Sequence, residues 1–428
     1  QAEDGIPDEL PSRGLGDVYK RQPLNYLKTE GACLTPNGAK FKNDSQGFLP
    51  EMMETMYNER VIYKKRMIKA KKEYQKTPTP ELSKEIARCH NIQWARKIAL
   101  NSAYGAVGNQ YFRFYDVRQA SGITTAGQFI IRFIEEKVNE YMNKILQTEH
   151  DYIVASDTDS IYVTLDKLVE QTCKGKDNEQ ICNFIDRVVN SRLEPYIEKC
   201  FAELADYSNA FKNCMVMKRE VIANKGIWVA KKRYMLNVLD DEGVRLAEPK
   251  LKIMGIEAVK SSTPQVCRTK IKEAIQIIMN KDEDTLQNYI SEFKKEFDEL
   301  PPEAIAFPRS CNNIQKYKNP ATIFSKGTPI HVKGSLIYNH KIRDMKLQNR
   351  YPYIQEGDKI KFLKLIEANP FRFDVISYIT TLPQEFNLHK FIDRETQFEK
   401  TFLDPMRFIL QSIGWSHEKK ASLEAFFG

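Results

Sequence analysis

The sequence predicts an α+β protein of about two to four domains, and three observations point to that class. The chain has 428 residues, more than one simple core accommodates. Long segments free of proline and glycine carry apolar residues at helical spacing. Elsewhere, β-branched and aromatic residues alternate around turn signals, which is typical of strands.

Composition narrows the class of protein. The chain is 42% hydrophobic and 29% charged, as in soluble globular proteins. No apolar run approaches the roughly 20 residues that span a bilayer, so no membrane segment is predicted. The net charge of +8 permits a polyanionic partner without requiring one. Eight scattered cysteines without a C-x-x-C pair favour reduced thiols in a cytoplasmic compartment over a zinc site or a disulfide framework.

The first residues are set aside. The segment SRGLGDVYKRQ, Ser12 to Gln22, resembles the translation of an adapter used in preparing sequencing libraries. The alternative is a genuine disordered leader. We exclude residues 1–22 from fold reasoning and expect the natural protein to continue upstream.

Three long helices are predicted in the first part of the chain. Residues 50–75 contain no proline or glycine after Pro50 and indicate a long basic helix. Thr79 is a suitable N-cap with Pro80 at the first helical position, so a second helix is expected over 81–104. Together the two predict an antiparallel helical hairpin. A third amphipathic helix is predicted over 124–146.

The segment YIVASDTDSIYV, residues 152–163, predicts a strand hairpin with two aspartates near its tip. If strand alternation holds through the turn, Asp157 and Asp159 share one face, which then also carries Ile153, Ala155, Ile161 and Val163. Paired carboxylates repel each other and are costly to desolvate, so a hard divalent cation is the simplest compensation.

The two aspartates of this hairpin have two other possible interpretations. An EF-hand loop is excluded, because Ile161 occupies a ligand position and Tyr162 stands where glycine is needed. A polar turn whose aspartates cap backbone amides fits the tetrapeptide equally well when it is taken alone.

The remaining chain alternates between helix and strand signals. A helical stretch is predicted over 178–207, followed by a strand-rich region over 214–246 with turns at 225–226 and 241–243. From about Ser261 the pattern is mostly helical, with long helices predicted over 263–280 and 283–299.

Polar side chains on the helical hairpin form a second constellation. Lys97, Asn101 and Tyr104 are spaced to lie on one face of the second helix, where they could contact a phosphate, a sugar and a base. Arg60 and Lys64 form a similar pair on the first helix. The alternative for such a charge run is a solvated helix face.

These motifs support a resemblance. KIALNSAYG followed by SDTDSIYV resembles motifs B and C of family B DNA polymerases, in the same order and spacing. AKKRYMLNVLD, LKIMGIEAVKSSTP and KKASLEAFF are similar to segments of the replicative polymerases of T-even-like bacteriophages. The resemblance covers residues 35–428.

The resemblance implies a right-hand polymerase fold, with an antiparallel palm sheet, helical-hairpin fingers and a mostly helical thumb. Residues 23–48 are then a palm fragment or linker, 49–106 the fingers and 107–260 the palm. Residues 261–428 are the thumb with a C-terminal clamp-binding tail.

The resemblance also implies roles for individual residues. Asp159 is the aspartate that binds two catalytic Mg²⁺ ions, Asp157 is its less direct partner, and Glu220 is an accessory acidic residue. Nucleotide-binding residues are Arg60, Lys64, Lys97, Asn101 and Tyr104. DNA-binding residues are Lys231, Lys232, Arg233, Tyr234 and Lys260.

The implied activity is template-directed transfer of deoxynucleotides from dNTPs to a primer 3′-hydroxyl by a two-metal mechanism. Implied partners are primer-template DNA, the dNTP, a sliding clamp and an N-terminal polymerase and exonuclease part, in the cytoplasm of an infected bacterium. Leu423, Phe426 and Phe427 have the spacing of a short helix that docks in a clamp groove. The alternative for this tail is packing on the chain's own thumb.

Three features depart from the family pattern. Ala155-Ser156 replaces Tyr-Gly before the aspartates, and Lys218 replaces an acidic residue two positions before Glu220. The motif D-x-x-S-L-Y-P-S, which supplies the other metal-binding aspartate, is absent from the sequence. We therefore expect the chain alone to be nearly inactive, either as a truncated product or as the second subunit of a split polymerase.

Two functions of other kinds were considered. A non-catalytic nucleic-acid-binding protein would have no use for Asp157, Asp159, Lys97 and Arg60 together. RNA-templated polymerases also carry a paired-aspartate hairpin, but they lack the K-x-x-x-N-S-x-Y-G helix.

Overall fold

The structure, a computed structural model, describes residues 28–29 and 31–419. These residues divide into two compact units. Unit 1 comprises the chain up to Ile222 together with Leu239–Pro249, and unit 2 comprises Ala223–Val238 together with the chain from Lys250 onward. Helices alternate with small antiparallel sheets, which confirms the predicted α+β class.

A long helical hairpin is the most extended feature of unit 1. Helix α1 spans Phe48–Lys76 and α2 spans Pro80–Val107, close to the predicted bounds. The hydroxyl of Thr79 accepts a hydrogen bond of 3.3 Å from the backbone N of Leu82, so the predicted cap forms. The predicted antiparallel hairpin is confirmed.

Helix α3 spans Val117–Leu146 and starts earlier than the predicted 124. Asp116 is the reason, because its carboxylate accepts hydrogen bonds from the backbone N atoms of Arg118 (2.9 Å) and Gln119 (3.3 Å). A capped start lets the polar first turns join the helix before the amphipathic pattern begins.

The aspartate hairpin forms as predicted, with β4 at Ile153–Asp157 and β5 at Ser160–Val163. One side of it packs on the apolar faces of α3 and the helices at 178–207, where Ile134, Val138 and Phe201 are buried. The hydroxyl of Tyr152, fully buried at the start of the hairpin, hydrogen-bonds that of Thr148 at 2.7 Å. This packing fixes the base of the hairpin.

The other elements of unit 1 are short. Strands β1, β2 and β3 form an antiparallel sheet in the order β1-β2-β3. The predicted helical stretch at 178–207 is one continuous helical run with a π-helical turn, Val189–Leu193, in its middle. The bounds are β1 Lys28–Thr29, β2 Ala32–Leu34, β3 Lys40–Lys42, α4 Asp166–Thr172, α5 Asn178–Val188 and α6 Glu194–Tyr207.

Three long strands form a sheet in the order β6-β7-β8, at Val221–Ala230, Arg233–Asp241 and Val244–Met254. The boundary between the units falls within these strands. The predicted turn at 225–226 is wrong, because Gly226 lies inside β6. A side chain at Gly226 would lie within 2.6 Å of the Trp228 ring, so this glycine permits a close contact rather than a turn.

Unit 2 encloses the largest apolar core. Helices α7, Gln265–Asn280, and α8, Glu283–Glu299, match the predicted segments and bury one face each. They pack with a sheet in the order β13-β12-β9 and with the long helix α11. Its other elements are α9 Pro302–Ile305, β9 Phe307–Ser310, α10 Ile314–Tyr317, β10 Lys318–Asn319, β11 Ile323–Phe324, α11 Ile330–Asp344, β12 Lys359–Lys364, β13 Val375–Tyr378, α12 Arg394–Phe398 and α13 Asp404–Ile413.

A search of the described helices for a long apolar stretch finds none that could traverse a bilayer. The predicted division at 260 into palm and thumb remains a prediction, since the compact units divide the chain within β6–β8 instead.

Candidate functional site

The two aspartates lie at the tip of the β4–β5 hairpin, but the predicted alternation through the turn is wrong. Asp157 ends β4 and pairs with Ser160, whereas Asp159 lies in the two-residue connection. Paired residues of antiparallel strands point to the same side. Asp157 therefore faces away from Ile161 and Val163, which pack on the core.

The turn between the aspartates is strained. The backbone N of Asp159 donates to the carbonyl of Asp157 at 2.6 Å, the spacing of a γ-turn, and the central Thr158 has φ of 58°. A β-branched residue at positive φ is rare, and such strain clusters at functional sites. The Thr158 hydroxyl lies 3.0 Å from Oδ1 of Asp157 and helps to orient that carboxylate. The turn exposes Asp159 and leaves Asp157 half-buried.

The predicted stripe on α2 faces solvent. Lys97 and Asn101 are exposed, and Tyr104 retains 43% of its accessible surface. Nζ of Lys97 lies 5.5 Å from the ring centroid of Trp94, which is itself half exposed. A cation, an amide and an aromatic ring are thus available together on one face of the helix.

Arg60 on α1 lies at about the same level of the hairpin as Lys97 on α2. An ion pair of 2.7 Å between Arg96 on α2 and Glu59 on α1 joins the helices there. Arg60 and Lys97 are the next residues along each helix, a rise of about 1.5 Å from that bridge. Arg60 and Lys97 are therefore brought together in the middle part of the hairpin, and Lys64 lies about one turn further along α1.

Lys64 has a partner that the sequence did not predict. Its ammonium lies 2.5 Å from Oε1 of Glu242, in the connection between β7 and β8. Both side chains are largely covered, with 28% and 24% exposed. Nε of Arg60, by contrast, is buried without a hydrogen-bond acceptor among the described residues.

The backbone before Glu220 is fixed by contacts of the two preceding residues. The nearly buried carboxylate of Glu194 accepts hydrogen bonds of 2.9 Å from Nζ of Lys218 and from the backbone N of Arg219. The bond from Lys218 to Glu194 raises the pKa of that lysine. The Lys218 charge is thus matched by a carboxylate, and the exposed Glu220 follows on a fixed backbone.

The two hairpin aspartates fit a hard divalent cation by their chemistry. Both offer carboxylate oxygens, and Mg²⁺ typically takes one or two carboxylates together with substrate phosphates and water. Within residues 28–29 and 31–419, no three His, Cys, Asp or Glu side chains are grouped so that they could hold a metal ion. Glu220 is thus not gathered with Asp157 and Asp159 into a three-carboxylate set.

Two of the predicted DNA-binding residues in unit 2 pair with one carboxylate, and two others lie next to them in the chain. Lys231 and Lys232 form the exposed connection between β6 and β7, where Lys232 has φ of 61°. Nη2 of Arg233 lies 2.6 Å from Oε2 of Glu257, and Nζ of Lys260 lies 2.8 Å from Oε1 of the same residue. Glu257 thereby links two segments that are separate in the sequence into one cationic cluster.

Packing beneath this cationic cluster is close. A side chain at Gly255 would lie 2.1 Å from the carbonyl oxygen of Lys232, so only glycine lets these backbones meet. Tyr234 is only 6% exposed and stacks on Trp228 with ring centroids 6.2 Å apart. Tyr234 therefore supports the connection from below, and its contact with DNA stays a prediction.

The predicted clamp-binding residues Leu423, Phe426 and Phe427 lie outside the described residues, as does the adapter-like segment at 12–22. The chain leading to the tail is held on α8. The backbone N of Ser416 donates to Oε1 of Glu283 at 2.5 Å, and Nε2 of Gln287 donates to the carbonyls of Ser416 and Glu418 at 3.1 Å each.

Sequence reasoning missed the acidic partners of the predicted cations. Glu242 was assigned only to a turn, and Glu194 and Glu257 were not singled out. Glu242 offered one signal, because Glu is an unusual residue in a tight Asp-Glu-Gly connection where Asn or Gly is favoured. The partnerships of Glu194 and Glu257 depend on the tertiary structure.

Comparison with known proteins identifies the family. The chain matches the family described as DNA polymerase family B over residues 18–372. It is 36% identical over 94% of its length to a DNA-directed DNA polymerase of Enterobacteria phage T4, covering 44% of that protein. It is also 36% identical over 92% of its length to one of Escherichia phage RB69, covering 49% of that protein.

A more distant relative is also a DNA polymerase. The chain is 24% identical over 90% of its length to a DNA polymerase of Pyrococcus glycovorans, covering 42% of it. The chain thus spans less than half the length of these curated relatives. Since the family match covers most of its residues, the chain belongs to DNA polymerase family B.

Proposed function

We propose that this chain carries the fingers, part of the palm and the thumb of a DNA polymerase that transfers deoxynucleotides from dNTPs to a primer 3′-hydroxyl. The observation that carries the proposal is the paired-aspartate tip of the β4–β5 hairpin in a family B chain. The cations Arg60, Lys64 and Lys97 of the α1–α2 hairpin, of which Lys97 is exposed, support it. The proposed site of action is the cytoplasm of a phage-infected bacterium.

The carboxylates of Asp157 and Asp159 would hold Mg²⁺ at the hairpin tip. Two bound Mg²⁺ ions would stabilise negative charge on the attacking and leaving oxygens during transfer. The strained turn at Thr158 fixes where the two carboxylates point. A further carboxylate comes, in the family, from a motif absent from these 428 residues, so we propose that the chain alone extends primers very slowly.

Lys97, Arg60 and Lys64 would bind the triphosphate and orient it before transfer. Their positions on a helical hairpin with few buried residues suit an element that closes over the nucleotide. Asn101 and Tyr104 lie along the same face of α2, toward the sugar and base of the nucleotide.

The metal assignment is tested by Asp159→Ala in an enzyme completed with the upstream part of the phage T4 relative. Primer extension should be abolished, while affinity for primer-template DNA, measured by fluorescence anisotropy, stays within about twofold because an exposed carboxylate is lost rather than a core residue. Near-normal extension would refute the assignment. Robust extension by residues 23–428 alone would show that the chain needs no further carboxylate.

The nucleotide contacts are tested by Lys97→Ala and Arg60→Ala in the same enzyme. Each lost charge-assisted contact is worth about 1.5–3 kcal/mol, so kcat/KM for the dNTP should fall roughly 10- to 150-fold. Lys84→Ala is the matched control, an exposed lysine on α2 about 20 Å from Lys97. Impaired DNA affinity with unchanged use of the dNTP would make these residues duplex contacts instead.

The cationic cluster of unit 2 would bind the phosphates of the primer-template duplex. Lys231→Ala should weaken duplex binding for all sequences and reduce the salt dependence of log K by roughly one unit of slope per lost phosphate contact. Equal salt dependence in the variant and the parent would remove Lys231 from the DNA interface.

We also propose that the tail binds a sliding clamp. Because the chain is already held on α8 as far as Glu418, deletion of residues 421–428 should leave thermal stability and distributive extension nearly unchanged. Stimulation by the clamp should be lost. A fall of several degrees in Tm with stimulation retained would show instead that the tail packs on the thumb.

A further inference from the structure

The ion pair between Lys64 and Glu242 engages a residue that the proposed function assigns to the triphosphate. Lys64 lies in the middle of α1, and Glu242 lies in the connection between β7 and β8 in the same compact unit. The two charges are 2.5 Å apart and about three-quarters covered. A pair in this setting is screened less by salt than an exposed one.

The connection that presents Glu242 is tightly built. β7 ends at Asp241 and β8 begins at Val244, and both intervening residues have positive φ, 53° at Glu242 and 79° at Gly243. This arrangement, typical of a type I′ turn, favours Asn, Asp or Gly. Glutamate at such a position is strained, so local folding does not account for it.

The base of the connection is anchored by a buried carboxylate. Asp240, 1% exposed, accepts a hydrogen bond of 2.8 Å from the backbone N of Gly243 and forms ion pairs with Arg219 and, at 3.2 Å, with Arg245. The backbone N of Glu242 also donates to the carbonyl of Glu220 at 2.5 Å. Glu242 is therefore a fixed anion, and the helix that carries Lys64 is the element free to respond.

We propose that Glu242 is a positioning residue that competes with the triphosphate for Lys64. The inference rests on the proposed function, in which Lys64 binds the triphosphate. Because a carboxylate beside an ammonium offsets its positive charge and repels a polyphosphate, Glu242 weakens the attraction between Lys64 and a triphosphate. Nucleotide binding then weakens the ion pair, and the pair stabilises the present position of α1.

Inorganic tripolyphosphate and the 428-residue chain provide the test, with affinity measured by isothermal titration calorimetry. Glu242→Gln, which keeps the shape and removes the charge, should raise tripolyphosphate affinity about three- to tenfold. Asp241→Asn removes the same charge one residue away and should change the affinity less than twofold. Glu242→Asp, one methylene shorter, should fall between the parent and Glu242→Gln.

The same substitution in a Lys64→Met variant shows whether Lys64 is required for the gain in tripolyphosphate affinity. In Lys64→Met, the proposal expects weaker binding of tripolyphosphate and no further change on adding Glu242→Gln. Hydrogen exchange gives a readout independent of any ligand, because amides of α1 around Lys64 should lose protection in Glu242→Gln but not in Asp241→Asn.

The outcomes separate this inference from the proposed function. If Lys64→Met weakens tripolyphosphate binding while Glu242→Gln does not strengthen it, competition by Glu242 is refuted and the role of Lys64 stands. If Lys64→Met leaves the affinity unchanged, Lys64 does not bind the triphosphate and both are refuted. If Glu242→Gln raised tripolyphosphate affinity equally with and without Lys64, the gain would come from the change in net charge alone. That result would also refute competition between Glu242 and the triphosphate for Lys64.

Discussion

Two helical hairpins of this chain are predicted by similar sequence signals but differ in how many side chains they bury. The α1–α2 hairpin has helices of 29 and 28 residues yet buries only Met67, Ala70, Cys89 and Gln93. The α7–α8 hairpin has helices of 16 and 17 residues and buries eleven side chains in the core of unit 2. A pair of consecutive helices is therefore a core element in one place and a largely polar hairpin in the other.

The difference lies in what stabilises each hairpin. The helices α7 and α8 present apolar faces to a shared core, which is where most helical stability arises. The helices α1 and α2 are polar nearly all round and are joined by ion pairs such as Arg96–Glu59 and Arg66–Glu85. A hairpin held by such contacts can change position at a smaller cost in free energy than one packed in a core.

The largest expected effect is on the core hairpin. Phe293 of α8 is 1% exposed and contacts the rings of Phe297, Phe398 and Phe402. Phe293→Ala should lower the free energy of unfolding by about 3–5 kcal/mol, because it leaves a cavity. Urea denaturation measures this. Ile98→Ala on α2, 53% exposed, should change it by less than about 0.5 kcal/mol, and similar losses in both would break the comparison.

The second largest effect is expected on the local opening of the two hairpins. Amides in the middle of α1 and α2 should exchange through openings at least about 2 kcal/mol cheaper than those of α7 and α8, roughly thirtyfold faster. The reason is the small number of buried side chains on α1 and α2. Hydrogen exchange with mass spectrometry measures the difference, and equal protection of the two hairpins would contradict it.

A smaller effect is expected from the Arg96–Glu59 ion pair between α1 and α2. Arg96 and Glu59 are each more than two-fifths exposed, so their coupling should be about 0.2–1 kcal/mol. A double-mutant cycle of Arg96→Gln and Glu59→Gln, read by hydrogen exchange of α1, measures it. The coupling should fall in 1 M salt, and a salt-independent value would show that the pair is not screened as an exposed one.

The smallest expected effect is on the cap of α8 in acid. The hydroxyl and backbone N of Thr285 donate to Asp282 and lower the pKa of its carboxyl group. A lowered folded pKa means that this stabilisation is present above the unfolded pKa and is lost as pH falls through the folded one.

The pH dependence of Tm between pH 6 and 2 measures this cap. Asp282→Asn keeps a capping side chain without titration and should flatten the profile slightly. The corresponding cap of α2, Thr79, carries no titratable group, so Thr79→Asn should leave the profile unchanged. Identical acid profiles for the parent and Asp282→Asn would contradict the assigned role of Asp282.

Local signals explain why the helices were predicted well. The start of α2 at Thr79-Pro80 and the ends of α7 and α8 depend on neighbouring residues only, and these form as expected. The aspartate hairpin also follows from local alternation. At Gly226 the local signal failed, because its lack of a side chain serves the packing of Trp228 from the same strand rather than a turn.

By itself, the sequence determined the α+β class, the helical hairpins, the paired aspartates and the cations that resemble those of family B DNA polymerases. Only the tertiary structure decided which carboxylates meet these cations. Glu242 pairs with Lys64, and Glu257 pairs with Arg233, across segments that are separate in the chain. The physical reason is that caps and periodicity are set within a few residues, whereas ion pairs between elements depend on how those elements pack.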